Sequence, residues 1–291
     1  MMRLAGRKRP IRTKLSERLS SMVVSDTPLR DLASNLSQVA QYALAEANSL
    51  SLEKIEIKLK RLPKKLDGFR IIHLSDIHHS PFTSLEHIER AVKVSNRLKP
   101  DMFILTGDYV SHETEYIAPM AEVLGKLESE FGTYACLGNH DHWTDAELVT
   151  KHLRGEKISV LNNEGFRFTA RDASFWIAGV DDYMVGKTDL PSALRGSFPD
   201  EMILLLAHNP VIVHRAARAG VDLMLSGHTH GGQVKLREEE KRVLPRRKLK
   251  SGLHRRKETQ IYITRGIGTV VLPIRYQCPP EISLIELKVS D

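Results

Sequence analysis

Short apolar runs of strand length, separated early in the chain by helical patterns, constrain the fold of these 291 residues more than any other feature. Residues 69–74, 102–105 and 134–137 have the length and composition of buried strands. Residues 85–98 and 117–127, which lie between these runs, repeat apolar side chains at helical spacing. Strands that alternate with helices predict an α/β fold with largely parallel pairing. Later apolar runs, at 175–180, 202–207, 223–225, 261–263 and 282–285, follow one another more closely and predict a second sheet.

Five of the predicted strands run directly into residues of types that bind metal ions. The carboxyl ends of strands in an α/β sheet border a shared crevice, so these five ends should converge on one pocket. Carboxylate and imidazole ligands suit manganese, iron and zinc, and a shared aspartate can bridge two cations that clamp a phosphoryl group. Each short motif alone is weak evidence, but the ordered set predicts a two-metal hydrolytic site. The five ends lead into Asp76-Ile77-His78, Asp108, Asn139-His140-Asp141, His208 and His228-Thr229-His230.

These motifs identify the chain as similar to the calcineurin-like metallophosphoesterase superfamily across residues 69–289. Within it, the chain resembles a bacterial membrane-associated branch typified by the YkuE and YaeI proteins. The signs of that branch include Gly138-Asn139-His140-Asp141, the long run Gly227-His228-Thr229-His230-Gly231-Gly232-Gln233, and Pro279-Pro280-Glu281. The resemblance implies a four-layer α/β/β/α sandwich and a phosphoester hydrolase in which a metal-bridging hydroxide attacks phosphorus in line.

The resemblance also implies a role for each candidate ligand. His140 would be the general acid that protonates the leaving oxygen, with Asp141 orienting it. Manganese is the first choice for the two divalent cations, and iron, zinc and cobalt are alternatives. One cation would be held by Asp76, His78, Asp108 and His230, and the other by Asp108, Asn139, His208 and His228.

Some residues depart from the pattern of the protein phosphatases in this superfamily. Those enzymes continue Gly-Asp with Asp-Arg-Gly, whereas Asp108 is followed by Tyr109-Val110-Ser111-His112. Their third motif ends in Glu, and here it ends in Asp141. Both differences argue against a phosphoprotein substrate.

Two further sets of residues are candidates for the pocket. His79 is a candidate substrate contact or spare ligand, with a supporting role as the plainer alternative. Asp181-Asp182-Tyr183 either lines the pocket or forms a turn.

The net charge of +7 is unevenly distributed along the chain. Residues 1–24 hold seven Lys or Arg against one acid, and residues 235–257 hold eleven against three, so the remainder is acidic. Such basic clusters attract phosphates, nucleic acid or anionic lipid, although solvated segments would look the same. We predict that 235–257 is a loop overhanging the pocket. Its candidate contacts for a second substrate phosphate are Arg246, Arg247, Arg255 and Arg256.

We divide the chain into a basic arm with an amphipathic helix, residues 1–50, and a metallophosphoesterase domain, residues 51–291. The helix, which starts near Asp26-Thr27-Pro28, either packs on the domain or lies in a membrane interface.

Two cysteines, Cys136 and Cys278, are too few for a disulfide framework. Neither a secretory signal nor an apolar run of bilayer length is visible, which predicts a cytoplasmic protein with peripheral contact to the inner membrane face.

Three functional classes remain open at this point. The first is a hydrolase of a lipid-linked or nucleotide-sugar phosphoester such as UDP-2,3-diacylglucosamine, which fits the basic arm and the resemblance. The second is a nucleic-acid or cyclic-nucleotide phosphodiesterase, which is weakened because 235–257 lacks the aromatic residues that stack on single strands. The third, a metal-binding scaffold without catalysis, is disfavoured because every ligand position and the acid position are filled. Nothing in the sequence predicts a protein partner.

Overall fold

The computed structural model describes residues 29–234 and 249–290, and within them two six-stranded sheets form the centre of the molecule. The first sheet consists, in spatial order, of β1 (Ser51–Leu59), β12 (Glu281–Val289), β2 (Arg70–Leu74), β3 (Met102–Thr106), β4 (Thr133–Cys136) and β5 (Ser159–Val160). The second consists of β10 (Gly252–Arg256), β11 (Thr259–Ile263), β9 (Leu223–Ser226), β8 (Ile203–Leu206), β7 (Ala173–Gly179) and β6 (Glu164–Ala170).

Parallel pairing dominates both sheets, as the alternation of strands and helices predicted. Strands β2 to β5 are parallel in the first sheet, and β12 joins them by antiparallel pairing with β2. In the second sheet β11, β9, β8 and β7 are parallel, and antiparallel hairpins add β10 and β6 at the edges. Residues 252–256 therefore form a strand and not the predicted loop, because they pair with β11.

The described helices cover the outer faces of the two sheets. Helices α2, α3 and α5 pack on the first sheet, and α6 and α7 pack on the second. Ser84 caps α2 by accepting a hydrogen bond from the backbone of His87, which sets where this helix begins. The helices are α1 (Leu29–Ala47), α2 (Leu85–Arg97), α3 (Ile117–Leu124), α4 (Asn139–Thr144), α5 (Ala146–Gly155), α6 (Leu190–Ala193) and α7 (Val213–Arg218).

Three apolar cores separate the layers, because the central strands are apolar on both faces. In β3, Phe103 and Leu105 pack with residues of α2, α3 and α5, whereas Met102 and Ile104 belong to the core between the sheets. Burial on both faces explains why this strand is a continuous apolar run. The four-layer α/β/β/α sandwich that the family resemblance implied is confirmed.

The last turns of α1 pack on the main body of the molecule. The carbonyl oxygen of Ala43 accepts a hydrogen bond from the backbone of Arg275 at 3.0 Å, and the Glu46 carboxylate accepts one from Gln277 at 2.7 Å. The rings of Tyr42 and Tyr276 meet edge to face. The predicted division at residue 50 stays a prediction, and the basic arm lies outside the described residues. Among those residues, no helix combines the length and the apolar character needed to cross a bilayer.

Candidate metal centre

Both sheets contribute loops to the candidate site, which lies where their carboxyl edges meet. Strands β2, β3 and β4 of the first sheet and β8 and β9 of the second each end just before a predicted ligand. Backbone hydrogen bonds join neighbouring loops, including those from Asp76 to Gly107 and from Gly227 to His208. The five strand ends therefore converge, although three lie in one sheet and two in the other.

The backbone at this edge adopts a conformation that side chains other than glycine rarely take. A positive φ of 49–68° occurs at five of the predicted ligands, a region that costs about 1–3 kcal/mol per residue. Such strain persists only where the surroundings impose it, and here the dense hydrogen bonding between loops does so. The five residues are Asp76, His78, Asp108, His228 and His230.

Glycines beside the ligands provide space for close packing of the loops. A Cβ atom at Gly138 would overlap the Asp108 carboxylate, and one at Gly227 would overlap that of Asp76. Gly138 has a φ of −111°, which any residue can adopt, so glycine is not needed here for its backbone freedom. At Gly138 and Gly227 the structure therefore requires the absence of a side chain.

One group of ligand atoms lies on the side of β2. The Nε2 atoms of His78 and His230 are 3.1 Å apart. His230 Nε2 lies 3.3 Å from an Asp76 carboxylate oxygen, and His78 Nε2 lies 3.5 Å from Oδ2 of Asp108. Nitrogen and oxygen atoms converging at such distances are what a shared cation requires.

A second group shares Asp108 with the first. Oδ2 of Asp108 lies 3.0 Å from Nε2 of His208, and His228 Nδ1 lies 3.2 Å from that same nitrogen. The side-chain oxygen of Asn139 is 3.1 Å from His228 Nδ1. One carboxylate oxygen therefore faces both groups, which is the geometry of a bridging ligand. No cysteine belongs to the clusters of candidate ligands found among the described residues.

Hydrogen bonds behind the ligands fix the orientation of the histidine rings. His208 Nδ1 donates to the carbonyl oxygen of Thr106 at 2.7 Å, and His78 Nδ1 lies 3.3 Å from the hydroxyl of Ser111. In metalloproteins the nitrogen opposite the ligating one typically has such a partner, which holds the ring in place. Sequence reasoning did not assign Ser111 a role, because a lone serine after Asp108 carries no distinctive signal.

Burial lowers the pKa of these histidine rings, whereas a neighbouring carboxylate raises it. Burial lowers the pKa of His78 and His228, and lowers that of His230 to about 4. Burial also acts to lower the pKa of His208, but the adjacent Asp108 carboxylate outweighs it and raises that pKa to about 10. At neutral pH three of the rings therefore offer lone pairs, and His208 holds a proton that a cation must displace.

The structure gives Asp141 a different role from the expected one. Its buried carboxylate accepts hydrogen bonds from the backbone N–H groups of Asp108, Tyr109 and Gly138, each at 2.8 Å. Burial and the Asp108 charge raise the pKa of Asp141 to about 7, and the backbone donors act in the opposite sense. Asp141 thus ties two ligand loops together, and its role in orienting His140 stays a prediction.

His140 lies at the edge of the first ligand group, where one of its ring nitrogens is within 4.8 Å of ligand atoms of His78 and Asp108. Its Nδ1 lies 3.1 Å from the carbonyl oxygen of Ser111, which can only accept, so Nδ1 carries a proton and Nε2 is the atom that gains or loses one. Its ring meets that of His78 edge to face at 4.8 Å between centroids. The rings of His112 and Trp143 lie on either side of it, at 5.3 Å and 4.7 Å.

Three of the other predicted contacts are described by the structure, and they have partners away from the ligand groups. His79 is only 7% exposed, because its ring donates to the carbonyl oxygen of Thr83 and packs on Tyr116. Arg255 and Arg256 pair with Gln260 and Thr259, at the end of β11 away from Ile263 and the ligand loops. For these three residues substrate contact stays a prediction, which their positions do not support. Arg246 and Arg247 lie outside the described residues.

The aspartates after β7 combine features of both interpretations, since Asp182 is near enough for its charge to favour a higher pKa at His208 and His228. The carboxylate of Asp181 pairs with the ring of His142, and one oxygen of Asp182 accepts a hydrogen bond from the backbone of Met184 at 2.7 Å. Asp182 thus closes the turn after β7, whereas Asp181 links this turn to His142 of α4. Sequence reasoning also missed Arg275, a fully buried guanidinium whose partners are mostly backbone carbonyl oxygens and which lies 3.5 Å from Nδ1 of His230.

A two-sheet sandwich with aspartate, asparagine and histidine ligands gathered at its carboxyl edge defines a metal-dependent phosphoesterase. Residues 69–232 match the family model described as calcineurin-like phosphoesterase. The chain belongs to this family of dinuclear metal-dependent enzymes, and the resemblance derived from its motifs is confirmed.

Several relatives extend the match beyond the family region. The chain is 31% identical to the metallophosphoesterase YkuE of Bacillus subtilis (strain 168), over 84% of this chain and 88% of the relative. It is 34% identical to the phosphodiesterase YaeI of Escherichia coli (strain K12), over 75% and 82% of the two chains. A transmembrane protein with a metallophosphoesterase domain from Bos taurus is 32% identical over 85% of this chain, which spans only 59% of that relative.

Proposed function

We propose that this chain hydrolyses phosphodiesters at a dinuclear site bridged by Asp108. The observation that carries the proposal is the position of Asp108 Oδ2, which faces Nε2 of both His78 and His208 within 3.5 Å. The donor set of carboxylate, amide and imidazole groups suits manganese first, with iron, zinc or cobalt as alternatives. One ion would be held by Asp76, His78, Asp108 and His230, and the other by Asp108, Asn139, His208 and His228.

When bound, two divalent cations lower the pKa of water and neutralise charge on the phosphoryl oxygens. The residues of the chain supply orientation and proton transfer. His140, with its Nδ1 proton directed at the Ser111 carbonyl, would present Nε2 to the leaving oxygen and protonate it. Asp141 would keep Asp108 in register with the loop that carries Asn139, because its carboxylate binds the backbone of both loops.

The substrate class we favour is a lipid-linked or nucleotide-sugar diester, of which UDP-2,3-diacylglucosamine is one example. The absence of the Arg and Glu that mark protein phosphatases argues against a phosphoprotein substrate, and the relative YaeI is named a phosphodiesterase. A nucleic acid or cyclic nucleotide is the second candidate. It is favoured by Trp143, whose side chain is half-exposed beside His140 and offers a surface on which a base can stack.

The test of the proposed chemistry is hydrolysis of bis-p-nitrophenyl phosphate by the purified protein with Mn²⁺. Turnover is expected, and failure with each of Mn²⁺, Fe²⁺, Zn²⁺, Co²⁺ and Mg²⁺ would contradict the proposal. A panel of UDP-diacylglucosamine, glycerophosphodiesters, cyclic nucleotides and single-stranded DNA under one metal condition then separates the substrate classes.

The acid role of His140 predicts a leaving-group effect. His140→Ala should lower kcat at least tenfold, toward the roughly 100-fold typical of a general acid, with bound metal unchanged. The loss should be larger for an alkyl leaving group than for p-nitrophenolate, because the poorer leaving group needs the proton more. The control is His112→Ala, which removes a neighbouring ring without a hydrogen bond to Ser111. Equal losses for both leaving groups would show that His140 acts structurally.

The raised pKa of His208 predicts that metal binding releases a proton. Because this pKa is about 10 in the metal-free protein, His208 is protonated at pH 7 and must lose its proton to become a ligand. Apparent metal affinity should therefore rise about tenfold per pH unit between roughly pH 7 and 9. Calorimetry in buffers of different ionisation enthalpy measures the release, and His208→Asn should release about one proton fewer. An affinity that is constant with pH would count against the His208 assignment.

A further inference from the structure

A carboxylate lies at the end of a sixth strand beside the metal centre. Strand β7 is parallel to β8, with Gly179 opposite Leu206, and Val180 donates a backbone hydrogen bond to the Leu206 carbonyl oxygen at 3.1 Å. This register carries the residues that follow β7 alongside His208. Asp182 is therefore placed at the carboxyl edge, next to a candidate ligand of the second group.

The side chain of Asp182 is buried, with 1% of its surface exposed, and only half of it is satisfied. Its Oδ1 accepts a hydrogen bond from the backbone of Met184 at 2.7 Å, whereas its Oδ2 has no partner within the part of the chain that the structure describes. A buried carboxylate oxygen without a donor is costly unless a positive charge lies nearby. The turn after β7 thus accounts for one oxygen and leaves the other unexplained.

A role confined to the turn does not require a carboxylate at this position. The side-chain oxygen of an asparagine would accept the hydrogen bond from Met184 equally well, and it would bring no unpartnered charge into a buried place. What asparagine lacks is the negative charge. The charge is therefore what Asp182 supplies beyond the needs of the fold.

The two groups of candidate ligands differ in their negative charge. The first contains Asp76 together with the shared Asp108. The second has Asp108 as its only carboxylate, because its other members are the neutral amide of Asn139 and the rings of His208 and His228. The number of charged ligands helps to set how tightly a site holds a divalent cation. The ligands alone would therefore hold the second ion more weakly than the first.

We propose that Asp182 supplies the missing charge and strengthens the binding of the second cation without ligating it. Asp182 belongs to none of the clusters of candidate ligands found among the described residues, so it acts from behind them. Burial and the Asp108 carboxylate have the largest effects on the pKa of His208, and Asp182 adds to that of Asp108. At His228, where burial lowers the pKa, the Asp182 charge opposes it. Both rings thus lie within range of the Asp182 charge.

Titration of the metal-free full chain with Mn²⁺, followed by calorimetry, tests the inference, which rests on the proposed function for its two cations. Asp182→Asn should weaken the binding of one ion about 10–100-fold and change that of the other less than about threefold. Electron paramagnetic resonance, at a concentration that just fills both wild-type sites, should show a coupled Mn²⁺ pair in the wild type and a single ion in the variant. The urea midpoint of the metal-free protein should not fall, because asparagine keeps the hydrogen bond to Met184 and none is lost at Oδ2.

A compensating substitution separates the effect of charge from that of shape. Asn139→Asp places a second carboxylate within the second group, so the double variant with Asp182→Asn should regain the wild-type affinity for both ions to within about threefold. Asp181→Asn is the matched control, since it removes a carboxylate one residue earlier, where the partner is His142. It should leave both affinities unchanged.

Wild-type affinity for both ions in Asp182→Asn would overturn the proposal, and so would a loss that Asn139→Asp does not restore. An equal loss in Asp181→Asn would overturn it too, because the turn and not the charge would then control metal binding. A wild-type chain that binds a single ion would contradict this inference and the dinuclear site together. Two bound ions without hydrolysis of any diester would sink the proposed function alone.

Discussion

Asp108→Asn is expected to abolish both metal sites and to lower kcat/KM at least about 1000-fold. The substitution preserves the shape of the side chain but removes the charge that faces His78 and His208. Metal content measured by elemental analysis should fall from two ions per chain to fewer than one. The substitution should also lower the pKa of His208, because the Asp108 carboxylate raises that pKa in the wild type.

The matched control for this prediction is Asp189→Asn, which makes the same chemical change at an exposed helix cap. Asparagine is also a good cap, so its stability, metal content and activity should match those of the wild type. If Asp108→Asn retained two ions and more than a tenth of the activity, Asp108 would not bridge the site.

Asp141→Asn is expected to destabilise the fold by about 2–4 kcal/mol. The Asp141 carboxylate satisfies three backbone N–H groups with its two oxygens, whereas an amide would direct its own N–H₂ group at one or two of those donors. Urea unfolding measures the change in the free energy of unfolding. Activity should fall as well, because the loop that carries Asp108 loses its anchor.

Two measurements separate this anchoring role from the orientation of His140 that the sequence suggested. An anchor predicts a loss in stability together with a loss in metal affinity, and no dependence of the loss on the leaving group. If Asp141 instead orients His140, stability and metal affinity should stay unchanged. The loss of activity should then depend on the leaving group, as for His140→Ala. Asp145→Asn is the control, because asparagine can replace Asp145 as the cap of α5 at little cost.

The parts of the fold that were predictable are those encoded in local patterns. Strands β2, β3 and β4 were predicted correctly because a strand buried on both faces is a continuous apolar run. Helices α2 and α3 were predicted correctly because a helix buried on one face repeats apolar residues at helical spacing. Residues 252–256 were read as a loop, since their charged composition resembles a linker. The composition of residues 252–256 gives no sign of their pairing with β11, so the strand could not be predicted from it.

The candidate ligands were predictable because each follows directly after a buried strand. The role of Asp141 was not, since an aspartate beside His140 in sequence looks like its partner, whereas the structure directs the carboxylate at the backbone of two loops. Arg275 was missed for the same reason. An arginine after an apolar run gives no sign that its guanidinium is buried behind His230.

The sequence by itself determined the α/β class, the strand ends that bear ligands and the family, because these depend on residue types at short spacing. Only the tertiary structure showed that Asp108 faces two groups of candidate ligands drawn from two sheets, and that five candidate ligands lie in strained backbone. The exposure of the apolar residues Val271 and Leu272 was likewise visible only in the structure. The physical reason is that direction and exposure of a side chain arise from loop-to-loop contacts between residues distant in the chain.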